Sequence, residues 1–188
     1  MGAPDGLYEE IIVAGFGGQG IIMTGKLLAQ TGMKAGKEVT YMPSYGAEVR
    51  GGTANCAVII SDRPIACPVV SYPASLIVMN KASVHKFGPR LKANGLLLWN
   101  SCLIDSEPEV DASIDVVAVP ADEIAVELGS PKSANMVMLG AYLKKCGHLD
   151  PEQAAEALQD VLAERYHKTI PVNTEALRRG AELAVCHA

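Results

Sequence analysis

Short apolar runs alternate along the chain with stretches whose apolar residues recur at helical spacing. EIIVAGF at 10–16 is an apolar run that enters glycine, the pattern of a buried strand. In the next stretch Ile21, Ile22, Leu27, Leu28 and Met33 fall at the spacing of one helix face, and Gly36 supplies a stop. EVTYM at 38–42 predicts a second strand, so the opening reads as a βαβ unit. TANCAVIIS at 53–61, ASLIVMN at 74–80, LLLWN at 96–100 and IDVVAVP at 114–120 predict four more strands. The prolines of PIACPVV at 64–70 confine it to an extended edge segment. Helices are predicted over 81–95, 121–129, 133–147 and 151–166. A last one begins at Asn173, a residue suited to an N-cap. Strands interleaved with helices predict an α/β fold, Rossmann-like and doubly wound. Its sheet is mainly parallel with helices on both faces, in a single domain spanning 1–188. The helix-rich last third is expected to cover the sheet or to face a partner.

Composition narrows the function classes. At 188 residues and 49% hydrophobic, the chain can bury a proper core. Sixteen Lys and Arg against twenty-one Asp and Glu leave a net charge of −5, which disfavours nucleic acid as a partner. The five cysteines and four histidines are scattered, with no CxxC or HExxH. That spacing argues against a zinc ribbon, a ferredoxin-type cluster and a disulfide framework, so no metal ligands are assigned and a reducing compartment is expected. The acidic opening lacks the basic region of an export signal, and no apolar run approaches the ~20 residues of a membrane span. A soluble, cytoplasmic protein is the expectation.

Gly15-Phe16-Gly17-Gly18-Gln19-Gly20 matches GxGxxG between a first strand and a helix. Glycines there allow a tight turn and close approach of a ligand, and a helix N-terminus offers free N–H groups to an anion. Dinucleotide binding would also need an acidic residue at the end of the second strand. That strand ends Thr40-Tyr41-Met42-Pro43, and Glu38 stands at its start. Close helix–sheet packing is the competing role for these glycines. Gly20-x4-Gly25-Lys26 imitates a P-loop, but Leu27 stands where a Ser or Thr must hold Mg²⁺. Gly25 therefore reads as a packing glycine and Lys26 as a solvated side chain.

The segment 43–52, PSYGAEVRGG, is too rich in glycine for a regular element and reads as a loop at a strand C-terminus, beside the ligand crevice of a doubly wound sheet. Arg50, next to Gly51-Gly52, could present its guanidinium to a phosphate or carboxylate, with Glu48 as its ion-pair partner or as a ligand acceptor. Nothing supplies a hydrolase nucleophile: Ser44 lacks the GxSxG elbow, and no Cys or His has a short-range partner.

Three segments together carry a family resemblance: GFGGQGIIMTGKLLAQTG at 15–32, PSYGAEVRGGTANCAVIISD at 43–62 and LIVMN at 76–80, extended by PVNTEALRRG at 171–180. They resemble the gamma subunit of 2-oxoacid:ferredoxin oxidoreductases over essentially the whole chain, closest to the 2-oxoglutarate type. The resemblance implies a subunit of a complex that oxidatively decarboxylates a 2-oxoacid to its acyl-CoA and passes two electrons to ferredoxin. It further implies thiamine diphosphate, Mg²⁺ and iron–sulfur clusters held mainly on alpha, beta and delta partners, since this chain has no GDG motif. No catalytic residue is assignable here. The matching positions Gly15, Gly17, Gly18, Gln19, Gly20, Ser44, Tyr45, Glu48, Arg50 and Gly51 are expected to face partners or CoA. A stand-alone NAD(P)-dependent oxidoreductase and a ligand-free assembly scaffold stay open as alternatives.

Overall fold

The computed structural model describes residues 6–45 and 53–185. Six strands form one sheet: β1 (Tyr8–Phe16), β2 (Glu38–Tyr45), β3 (Thr53–Ser61), β4 (Ser75–Val78), β5 (Leu96–Asn100) and β6 (Asp115–Val119), in the order β2-β3-β1-β4-β5-β6. β1, β4, β5 and β6 pair in parallel, whereas β3 runs antiparallel to both β1 and β2. The expected Rossmann-like α/β sheet is present. Its first unit differs from the expected βαβ: β1 and β2 are joined by α1 (Ile21–Lys34), but β3 is inserted between them. The run 64–70 forms no strand, and the sheet ends instead at β2 and β6.

Helices α1, α3 (Ala121–Glu127), α4 (Ala134–Cys146), α5 (Pro151–Val161) and α6 (Ile170–Val185) gather around one core, which includes Ile11, Leu27, Leu98 and Leu139. α4 is buried along ten consecutive residues, Ala134 to Leu143, as expected of a helix apolar on all sides. It crosses α6 at glycines: a Cβ on Gly140 would stand 1.9 Å from the Leu177 carbonyl oxygen, and one on Gly180 would stand 2.0 Å from that of Val137. The last third thus supplies covering helices. On the other face a second core includes Ile12, Ile59, Leu76 and Trp99. Among the described residues, α2 (Lys81–Phe87) is the α-helix that packs into it.

Three helix boundaries depart clearly from expectation. The helix predicted over 81–95 ends at Phe87 in a 3₁₀ turn, Gly88–Arg90, because Pro89 cannot donate to the preceding turn. α5 ends at Val161, and a separate 3₁₀ turn spans Glu164–Thr169. α6 begins at Ile170 and not after Asn173, with Pro171 inside the first turn, where a missing N–H costs nothing. In α1, Met33 is 61% exposed, since it lies about 140° round the helix from buried Leu28. Thr24, Gly25, Thr31 and Gly32 take the inward positions. No helix among the described residues is long and apolar enough to cross a membrane.

Candidate functional site

The glycine loop leaves β1 at the carboxyl end of the sheet, at the topological switch where the chain runs toward β2 on one side and β4 on the other. Gly15 is buried; Gly17 and Gly18 are exposed, with Gly18 at φ 100°. Gln19 folds back across the crevice: its Oε1 accepts from the Phe16 amide at 2.6 Å, and its Nε2 donates to the Met79 carbonyl beyond β4 at 3.0 Å. A Cβ on Gly15 would lie 2.6 Å from that same Oε1, so Gly15 and Gln19 fit as a unit. Gly20 caps α1 in the left-handed region at φ 76°, and no side chain caps the first turn of that helix.

Neighbouring elements hold the start of α1 in place. The Tyr41 hydroxyl of β2 donates to the Ile22 carbonyl at 3.0 Å, and the Cys56 thiol of β3 donates to that of Ile21 at 3.5 Å. Burial pushes the Cys56 thiol up to about 12, so it acts as a packing group and not as a nucleophile. Gly25 faces it so closely that a Cβ there would stand 2.1 Å from its Sγ, in keeping with a packing glycine. Lys26 is exposed, as expected of a solvated side chain.

Sequence reasoning missed the surroundings of Gly20. A cleft of about 450 Å³ opens beside it, with Met23, Lys132 and Tyr166 among its lining. Asn135 Nδ2 bonds the Gly20 carbonyl at 3.3 Å and Thr24 Oγ1 at 3.2 Å. Across the cleft, Ser133 Oγ donates to Asn173 Oδ1 at 2.8 Å, and Asn173 Nδ2 donates to Thr169 Oγ1 at 3.2 Å. No acidic side chain lines the cleft among the described residues. The first turns of α4 and α6 reach it through 3₁₀ turns, whereas α1 enters it directly from Gly20. An uncapped helix N-terminus beside Lys132 and hydroxyl and carboxamide groups suits an oxygen-rich anionic group. No local motif links residues 130–136, 166–173 and 20–24, so only tertiary packing brings them together.

The second expected segment divides. Ser44 is exposed and, with Tyr45, belongs to β2, which runs three residues further than predicted; Pro43 is tolerated because β2 is an edge strand. Glu48, Arg50 and Gly51 lie outside the described residues. Tyr45 pairs with Ala54, and Phe16 with Thr53, so the end of β2 sits at the same end of the sheet as the glycine loop. With β3 between them, the two strand ends stand about 10 Å apart. The position where a dinucleotide site carries its acidic residue is thereby displaced from the glycine loop.

At the neighbouring strand ends, the Asn80 Oδ1 accepts from the Ser83 amide at 2.7 Å, and Asn100 Nδ2 donates to Asp122 Oδ2 at 2.5 Å. These contacts cap and tie loops. Among the described residues no three His, Cys, Asp or Glu side chains gather as a metal site would require. Cys56 is buried, Cys67 is exposed, and Cys102 and Cys146 are in between. The described residues therefore do not fit an iron–sulfur cluster.

Comparison with known proteins places this geometry. The family model described as pyruvate ferredoxin/flavodoxin oxidoreductase matches residues 10–183. Ketoisovalerate oxidoreductase subunit VorA of Methanothermobacter thermautotrophicus is 35% identical over 92% of this chain, which spans only 35% of that protein's length. 2-Oxoglutarate synthase subunit KorC of Methanocaldococcus jannaschii is 34% identical, and the alignment covers 95% of each chain. Among solved structures, the gamma subunit of a keto/oxoacid ferredoxin oxidoreductase from Geobacter sulfurreducens superposes with a TM-score of 0.81 at 28% identity, covering 96% of this chain and 98% of that one. A 2-oxoglutarate:ferredoxin oxidoreductase from Magnetococcus marinus, with 2-oxoglutarate, coenzyme A and succinyl-CoA bound, gives 0.85 at 27% identity, over 95% of this chain and 31% of that one. The family model and the matches along almost the whole length agree: the chain belongs to the pyruvate ferredoxin/flavodoxin oxidoreductase family, in its gamma-subunit type.

Proposed function

We propose that this chain is the gamma subunit of a cytoplasmic, multi-subunit 2-oxoacid:ferredoxin oxidoreductase of the 2-oxoglutarate type. The complex would convert 2-oxoglutarate and CoA to succinyl-CoA and CO₂, passing two electrons to ferredoxin. The observation that carries the 2-oxoglutarate reading is the correspondence with KorC over 95% of both chains. Alpha, beta and delta chains are the expected partners. Thiamine diphosphate, Mg²⁺ and the iron–sulfur clusters would reside on those partners, and no chemical step is assigned to this chain.

Its own residues would bind and orient. The Magnetococcus marinus enzyme was solved with coenzyme A bound. In this chain the uncapped start of α1, Lys132 and the Ser133–Asn173–Thr169 polar chain border the cleft beside Gly20. Those groups suit the phosphates of CoA. Together with the glycine loop, Ser44, Tyr45, Glu48, Arg50 and Gly51 would serve CoA or a partner.

The test is to tag the chain in its native host, purify it gently under anaerobic conditions and assay CoA-dependent viologen reduction. 2-Oxoglutarate is the substrate, with pyruvate and 2-oxoisovalerate as controls. A multi-chain complex preferring 2-oxoglutarate is expected; preference for either control would move the chain to another type. In the assembled enzyme, Lys132→Ala should raise the KM for CoA several-fold with little change in kcat. An unchanged KM would remove the CoA role from the cleft. A ligand-free scaffold is the second reading, favoured by the Gln19 carboxamide, whose two bonds both go to the protein's own backbone. A scaffold variant at Gln19 would lose assembly, whereas a ligand-site variant would assemble and lose turnover.

A further inference from the structure

The cations of this acidic chain are unevenly placed. Between Asp62 and Asp105 the sequence carries five of the sixteen Lys and Arg residues and none of the twenty-one Asp and Glu. Three of them, Lys81, Lys86 and Arg90, fall on α2 and the 3₁₀ turn after it. That is the sparsely covered face of the sheet. Lys92 is spent on an ion pair with Glu10, but none of the ion pairs among the described residues uses Lys81, Lys86 or Arg90.

Internal contacts fix two of these cations in place. Lys86 Nζ sits 5.1 Å and Arg90 Cζ 5.8 Å from the centroid of the buried Phe87 ring. Arg90 Nε also donates to the Ser71 carbonyl at 2.8 Å, which ties the turn to the 62–74 segment. Beside that anchor Tyr72 is 64% exposed and Val69 58%. Lys81 and His85 share a cleft with Glu107 and Glu109, whereas Lys86 and Arg90 do not line it.

We infer that Lys86, Arg90, Tyr72 and Val69 form the docking surface for an acidic, partly apolar segment of a partner subunit. Charge complementarity selects an acidic occupant. The exposed Tyr and Val beside a pre-positioned Arg favour a lasting subunit contact over a transient one, because aromatic side chains and Arg anchor buried interfaces. The cation–π contacts hold Lys86 and Arg90 in position before binding, which lowers the ordering cost of association. The inference rests on the proposed subunit role.

The test is co-purification of the tagged chain with its partner chains across a salt series. Lys86→Glu with Arg90→Glu is compared with the wild type, with Tyr72→Ala, and with Lys144→Glu as a charge change at another exposed site. As a free chain the double charge reversal should stay folded, with a melting temperature lowered only by the loss of the Arg90–Ser71 bond and the two ring contacts. It should also reduce the co-purifying fraction at least tenfold at low salt, whereas Lys144→Glu should leave it unchanged. Tyr72→Ala should weaken assembly in a way that salt does not modulate. Full assembly of the double variant would overturn the inference. Full assembly with a raised KM for ferredoxin would also overturn it, making the electron acceptor the occupant. A wild-type chain that brings down no partner would instead overturn the subunit role, and this surface with it.

Discussion

On one face of the sheet, α4 lies buried from Ala134 to Leu143 between the strands and α6, and the two helices meet with glycine against carbonyl oxygen. On the other, a seven-residue helix and the irregular segments 62–74 and 101–114 cover the strands. The first face has no slack, because protein interiors are packed as densely as organic crystals and a single added methyl must displace backbone. Its residues therefore act mainly on stability. The second face carries Lys86 and Arg90, which make no ion pair among the described residues, and exposed Tyr72 and Val69, and changes there should act mainly on association. The glycine loop belongs to the first regime, held by Gln19 on the chain's own backbone and by Asn135 from α4.

The largest effect that separates the two faces is expected at the helix crossing. Gly140→Ala places a Cβ within 1.9 Å of the Leu177 carbonyl oxygen. It should cost about 3 kcal/mol, lowering the melting temperature by roughly 10 °C for a domain of this size. A change within 2 °C by calorimetry would mean that the helices slide apart freely, and the contrast between the faces would fail. Gly25→Ala comes next, with a Cβ 2.1 Å from Cys56 Sγ and an expected cost of about 2 kcal/mol. Cys56→Ala should restore part of that loss, and strict additivity in the double-mutant cycle would show that the two side chains do not compete for space.

Gln19→Leu removes two hydrogen bonds that close the crevice between β1 and β4, at an expected cost of about 1–3 kcal/mol. Amide exchange at the Phe16 N–H should quicken in this variant; unchanged protection would show that the glycine loop holds itself. The smallest effect is expected at Asp62, an exposed carboxylate held below its ordinary range by the Lys37 ammonium and the Leu7 amide. The folded state prefers the deprotonated form. Its contribution is present above the unfolded carboxylate range and is lost as pH falls through the folded value. Asp62→Asn should therefore narrow the gap between the melting temperatures at pH 6 and pH 3. An unchanged gap would mean that exposure cancels the interaction.

The expected element types were legible because their signals are local. A run such as LIVMN cannot be solvated and needs no partner's identity to read as a buried strand. The departures come where a distant partner or a single backbone group decides. Pro43 did not end β2, because an edge strand needs no inward N–H there. Pro89 did end α2, because a helix interior needs one. Insertion of β3 between β1 and β2 was not legible, since TANCAVIIS reads the same in parallel or antiparallel pairing.

For the candidate site the same division holds. GFGGQG announced a strand–turn–helix with an open amide end, because glycines in that spacing restrict what the backbone can do. Sequence alone did not indicate that Gln19 would bond Met79, sixty residues away, or that Lys132, Ser133 and Asn173 would border the same cleft as Gly20. By itself the sequence determined the element types, the glycine turn and the excess of acid over base, all properties of residues and their near neighbours. Tertiary structure alone decided the strand order, the lining of the cleft and the side of the sheet that carries Lys86 and Arg90. Each of those depends on contacts between residues far apart in the chain, whose pairing is set by the packing of the whole domain.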